Sequence, residues 1–171
     1  KNYLPQKAIV KSFGKNSEYT GTAKSKMRAL AEEMNISIDE TFLEKISDLG
    51  NQERGLDLIG WLPFNDRVPN FISVLAQCAC GKEWYLKLGE TKRYNRYYKF
   101  YLQEPIHALF IPYALTNYQN TDFHQGDEFG SDVLVFERFR ILSTIDDTDF
   151  FKKMASSLLV LKCLESQEDI V

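Results

Sequence analysis

The chain has 171 residues, enough for one domain with a proper core. Its 44% hydrophobic and 13% aromatic content excludes a disordered chain, and no apolar run approaches the ~20 residues of a membrane span. A net charge of −3 argues against a protein that coats nucleic acid by global charge, while leaving room for local basic contacts. The start, Lys1-Asn2-Tyr3-Leu4-Pro5-Gln6, has no apolar h-region and predicts no signal peptide. It also lacks an initiator Met, as a fragment of a longer protein would. Cys78, Cys80 and Cys163 are an odd set without a paired framework, which fits a reducing, cytoplasmic setting.

In chain order, Lys7 to Phe13 is apolar and basic and reads as either a strand or a helix edge. Asn16 to Thr22 is loop-like. Ala23 to Met34 predicts a helix, because Met27, Leu30, Ala31 and Met34 fall at i, i+3, i+4 and i+7. Asp39 to Ile46 predicts a second helix, with Ser37 or Asp39 as N-cap, Phe42, Leu43 and Ile46 facing in, and Gly50-Asn51 ending it. Leu56 to Trp61 and Phe71 to Cys78 predict two strands joined by the turn-rich Pro63 to Asn70. Tyr85 to Phe100 is expected to begin as a helix. Ile106 to Ile111 predicts a strand stopped by Pro112, and Asn117 to Gly130 a polar loop. Val133 to Ile141 predicts a last strand, and Thr148 to Leu164 a closing helix. This order gives a single α/β domain over residues 1–171, a mixed central sheet flanked by helices.

The two central strands carry the chemistry. Gly55-Leu56-Asp57-Leu58-Ile59-Gly60-Trp61 and Gln77-Cys78-Ala79-Cys80-Gly81-Lys82-Glu83-Trp84 each place one polar residue in an apolar strand. The hairpin brings Asp57 and Gln77 together. A carboxylate and an amide oxygen suit a divalent cation that keeps several of its waters. Such a site, with lysines just beyond, suits the cutting of a phosphodiester: charge on the phosphate is neutralised and a water becomes nucleophilic.

These residues, with Leu109-Phe110-Ile111-Pro112 and Phe136-Glu137-Arg138-Phe139-Arg140-Ile141, resemble the PD-(D/E)XK superfamily of the restriction-endonuclease-like fold. The closest likeness is to a subgroup with Gln at the acidic position of the third strand, followed by Gly-x-x-Trp. The resemblance spans about Ala23 to Ile145. It implies a restriction-endonuclease-like core and a Mg²⁺- or Mn²⁺-dependent DNA endonuclease domain of a bacterial restriction or anti-phage defence system. Asp57 matches the metal-binding Asp and Gln77 the (D/E) position. The motif lysine is replaced by Ala79, so Lys82 or Lys87 would have to reach in, Lys82 being slightly favoured. A glutamate on the first helix is also implied, and Glu33, beside the apolar stripe, is the better candidate over Glu32, Glu44 and Glu53. The implied partners are DNA and either a second copy or a larger defence complex. The rival expectation, motivated by Ala79, is a catalytically inactive module that binds DNA or protein.

Other signals have plainer readings beside these. Lys82 to Tyr101 holds Lys92, Arg93, Arg96 and Lys99 interleaved with tyrosines. It is either a surface for phosphates and bases or a solvated face with tyrosines packed on the sheet. Arg138 and Arg140 would share one strand face, for phosphate contact or ion pairing. Cys78 and Cys80 lack further ligands for zinc and read as buried thiols. His107 reads as a satisfied core or edge histidine, and Asp66 as turn chemistry. His124, with Asp122, Asp127 and Glu128, reads as a solvated loop, and Trp61 and Trp84 as core aromatics.

Overall fold

A computed structural model describes residues 2–14, 17–47, 55–101, 104–115 and 132–145. Glu53, the Gly50-Asn51 helix end, the Asn117–Gly130 loop with its acidic and His124 cluster, Cys163 and the Thr148–Leu164 helix lie outside those residues.

The order of elements is β1 (Ile9–Ser12), α1 (Ala23–Met34), β2 (Ser37–Ile38), α2 (Glu40–Leu43), β3 (Leu58–Trp61), β4 (Ser73–Cys78), β5 (Tyr98–Lys99), β6 (Ile106–Phe110), β7 (Val133–Phe136) and α3 (Arg138–Ser143). Two 3₁₀ segments, Trp84–Lys87 and Glu90–Arg96, connect β4 to β5. The main sheet runs β1-β3-β4-β6-β7. The pairs β1–β3 and β3–β4 are antiparallel, and β4–β6 and β6–β7 are parallel. β2 and β5 form a separate antiparallel pair. The α/β class and mixed sheet follow the sequence reading, and Lys7 to Phe13 resolves into a strand.

α1 forms where its periodicity requires. Thr22 caps it by accepting from Ser25 N, and Asn35 closes it at φ 53 with its N–H on the carbonyls of Ala31 and Glu32. Its stripe of Met27, Leu30, Ala31 and Met34 packs with Ile59, Trp61 and Leu75 of β3 and β4. On the opposite sheet face Ala76, Ala108 and Phe136 form another cluster, against which Ile141 of α3 packs. Side chains alternate across a strand, so odd-numbered residues of β3 and β4 face α1.

Several expected elements differ. The second helix is a single turn capped by Asp39, with Leu43 and Ile46 buried but Phe42 exposed; Ser37 lies in β2 instead. The last strand stops at Phe136, because the Glu137 side chain accepts from Arg140 N at 2.7 Å and starts α3 there. Arg138 and Arg140 therefore do not alternate on a strand: they donate to Pro112 O and Val135 O, both at 2.8 Å. Tyr85 to Phe100 forms 3₁₀ turns rather than an α-helix, broken at Gly89, which sits at φ 78. Tyr94 and Tyr98 are core residues, and the Tyr98 hydroxyl donates to Met27 O at 3.0 Å, tying this segment to α1.

Candidate functional site

The β3–β4 register, Leu58 opposite Ala76 and Ile59 opposite Leu75, brings Asp57 beside Gln77 one step further along, on the α1-facing side. Three bonds hold the backbone there. Asp57 N donates to Ala76 O at 2.9 Å, and Phe13 N and Gly14 N donate to Asp57 O at 2.7 and 3.2 Å. The Asp57 side chain is fixed as well, Oδ2 accepting from Cys78 N at 2.8 Å. Its other oxygen lies against Gly14, where an added Cβ would stand 2.6 Å from Asp57 Oδ1.

Gln77 is buried. Its Nε2 donates to Glu90 Oε2 at 2.8 Å, and its Oε1, also buried, has no hydrogen-bond partner among the described residues. A buried amide oxygen left unpaired is costly. Glu90 opens the second 3₁₀ segment, and its Oε1 accepts from Lys87 Nζ at 3.2 Å. Arg93 stands 4.0 Å from the same oxygen. Burial pushes the Glu90 carboxyl up, but the bonds from Gln77 and Lys87 and the charges of Lys87 and Arg93 outweigh it and hold it below the usual range. Glu90 was not among the residues singled out from sequence. The available signal was the i, i+3 spacing of Lys87 and Glu90.

Lys87, rather than the slightly favoured Lys82, joins this network; Lys82 is exposed in the turn after β4. Glu33 is engaged elsewhere, Oε2 accepting from Tyr19 Oη at 2.6 Å and Oε1 lying 3.5 Å from Lys11 Nζ. No contact joins it to Asp57, Gln77 or Glu90 among the described residues. Glu44 is also engaged, with Lys24 and Arg28. Ala79 is buried with Trp84, Leu109 and Val135, so the motif position holds an apolar contact. Of the basic residues beyond, Lys92 pairs with Asp132 at 2.5 Å and Lys99 lies over the Tyr101 ring. Arg93 and Arg96 line a shallow hollow with Glu90 and Tyr97.

Cys78 and Cys80 are free and exposed, not buried thiols as expected, because β4 ends at Cys78 and the chain turns outward. His107 is buried. One ring nitrogen, Nδ1, meets Thr91 Oγ1 at 2.9 Å, and Nε2 has no partner among the described residues. Asp66 makes the expected turn bond to Val68 N at 3.0 Å.

Among the described residues no group of three or more His, Cys, Asp or Glu side chains is placed to hold a metal ion. The donors gathered here are instead a carboxylate and an unpaired amide oxygen, both hard oxygen ligands of the kind Mg²⁺ prefers. Among those residues, too, no helix is long and apolar enough to cross a membrane. No family model, curated protein or solved structure matches this chain, so its chemistry is read from its own residues.

Proposed function

We propose that the chain is a metal-dependent DNA endonuclease domain with a restriction-endonuclease-like core, acting in the cytoplasm within a bacterial restriction or anti-phage defence system. The observation that carries this reading is the unpaired, buried oxygen of Gln77 on the strand beside Asp57. A purely structural glutamine would satisfy that atom. The antiparallel β1-β3-β4 arrangement continuing into parallel β6, with α1 on one face, is compatible with such a core.

Asp57 and Gln77 would hold Mg²⁺ or Mn²⁺, which supplies charge neutralisation on the phosphate and a more acidic water when bound. The protein's own part is positional and electrostatic. The Cys78 amide fixes the Asp57 carboxylate, so its oxygen is in place before substrate arrives. Lys87, held at Glu90, offers an ammonium group to the negative charge that develops on the phosphate as water attacks phosphorus and the ester P–O bond breaks. Arg93 and Arg96, on the same side of the second 3₁₀ segment, would take neighbouring backbone phosphates. One such domain cuts one strand, so a duplex break calls for a second copy or a larger complex.

The test is incubation of the purified chain with supercoiled plasmid and Mg²⁺ or Mn²⁺, beside Asp57→Ala. The reading expects nicking that Asp57→Ala abolishes. A second reading, an inactive DNA-binding module, is favoured by the apolar packing of Ala79 where the motif lysine would stand. Salt-dependent DNA binding by the wild-type chain with no nicking under either metal would select it.

A further inference from the structure

The arrangement around Gln77 points to an exchange of acid and amide. A carboxylate can only accept, so the amide must turn its N–H₂ toward Glu90 and leave its oxygen free. Gly55 closes the pair from below. It sits at φ 82, and an added Cβ would stand 2.6 Å from Glu90 Oε2 and 3.1 Å from Gln77 Nε2. Any side chain there would displace both groups, so glycine permits their contact. Gln77 is more than nine-tenths buried, and it is the only link the described residues show between β4 and the Glu90 carboxylate.

Resting on the nuclease reading, we propose that Glu90 is the second carboxylate of the cation site and that Gln77 is its positioning residue, the acid standing on the 3₁₀ segment and the amide on the strand. Lys87 then has a double place, bonded to the carboxylate and facing the substrate phosphate. The absence of an acid from residue 77 does not leave the site with Asp57 alone.

The test is calorimetric titration of the intact chain with Mn²⁺ alone, without DNA, in wild type, Asp57→Asn, Glu90→Gln and the exchanged pair Gln77→Glu/Glu90→Gln. Thermal melting of each metal-free protein is measured alongside. Glu90→Gln keeps the shape and can hydrogen-bond Gln77 amide to amide, so its metal-free melting stays near wild type. Its Mn²⁺ affinity is expected to fall at least tenfold, and the exchanged pair to recover to within about threefold of wild type. Gln77→Glu alone sets two carboxylates at hydrogen-bond distance and lowers metal-free melting, which the exchanged pair restores. Wild-type affinity in Glu90→Gln together with loss in Asp57→Asn overturns the role of Glu90 while leaving the nuclease reading standing. Absence of Mn²⁺ binding in wild type overturns both.

Discussion

Gly14→Ala separates the placement of Asp57 from everything else about the site. Gly14 is not at positive φ, so alanine brings no backbone penalty there. Its Cβ, however, would stand 2.6 Å from Asp57 Oδ1 and 3.4 Å from Asp57 Cα, and the carboxylate must swing away. That movement breaks the 2.8 Å bond from Cys78 N, a hydrogen bond to a charged group that contributes about 1.5–3 kcal/mol. At 2–4 °C per kcal/mol for a chain of this size, the melting temperature falls by roughly 3–12 °C. Because an ångström of misplacement can cost about a hundredfold in rate, plasmid nicking should fall by about that factor. Gly81→Ala is the control, since a Cβ there meets nothing within 4 Å and should change stability by no more than about 0.5 kcal/mol. Melting by circular dichroism and nicking on agarose gels read both. Gly14→Ala with unchanged melting and full nicking would refute the claim that a fixed Asp57 carboxylate matters.

Other outcomes follow from the same geometry. Burial, then Lys92, hold the His107 imidazole below its ordinary range against the opposing charges of Glu104 and Asp132. The native state keeps it neutral, so this stability is present above about pH 6.5, where the unfolded histidine titrates, and is lost as pH falls toward the lowered value. Urea midpoints at pH 7.5 and 5.5 should drop further in wild type than in His107→Gln; equal drops would contradict this. If Arg93 and Arg96 each neutralise a phosphate, changing both to alanine lowers the slope of log affinity against log salt by about 1.8, measured by gel retardation. An unchanged slope removes them from the interface. Leu75→Ala, at a fully buried position between α1 and β3, should cost about 2–5 kcal/mol by urea unfolding; a loss under about 1 kcal/mol would contradict the packing described.

What the sequence revealed was governed by periodicity. Ala23–Met34 carries an uninterrupted apolar stripe, and β3 and β4 are short apolar runs around a turn, so both were legible to within a residue or two. Val133 to Ile141 misled because Phe139 and Ile141 continue the alternation of Val133 and Val135. The Glu137 side chain, capping Arg140 N, decided the boundary, and glutamate is not among the favoured caps. In the tyrosine-rich segment Gly89 breaks the helix, and the tyrosines read as an alternative nucleic-acid surface turn partly into the core. At the site, Asp57 and Gln77 stood out as polar residues in apolar strands. Glu90 did not, because a glutamate among lysines and arginines resembles any solvated ion-pair face; only its bond to the buried Gln77 amide sets it apart. Glu33 fitted the helical periodicity, but tertiary contacts with Tyr19 and Lys11 claim it.

The most direct measurement is anomalous diffraction from a crystal of the chain soaked in Mn²⁺. The account predicts one peak within coordinating distance of both an Asp57 carboxylate oxygen and Gln77 Oε1. A well-ordered site with both side chains in place and no anomalous peak at saturating Mn²⁺, or a peak elsewhere on the molecule alone, would contradict it.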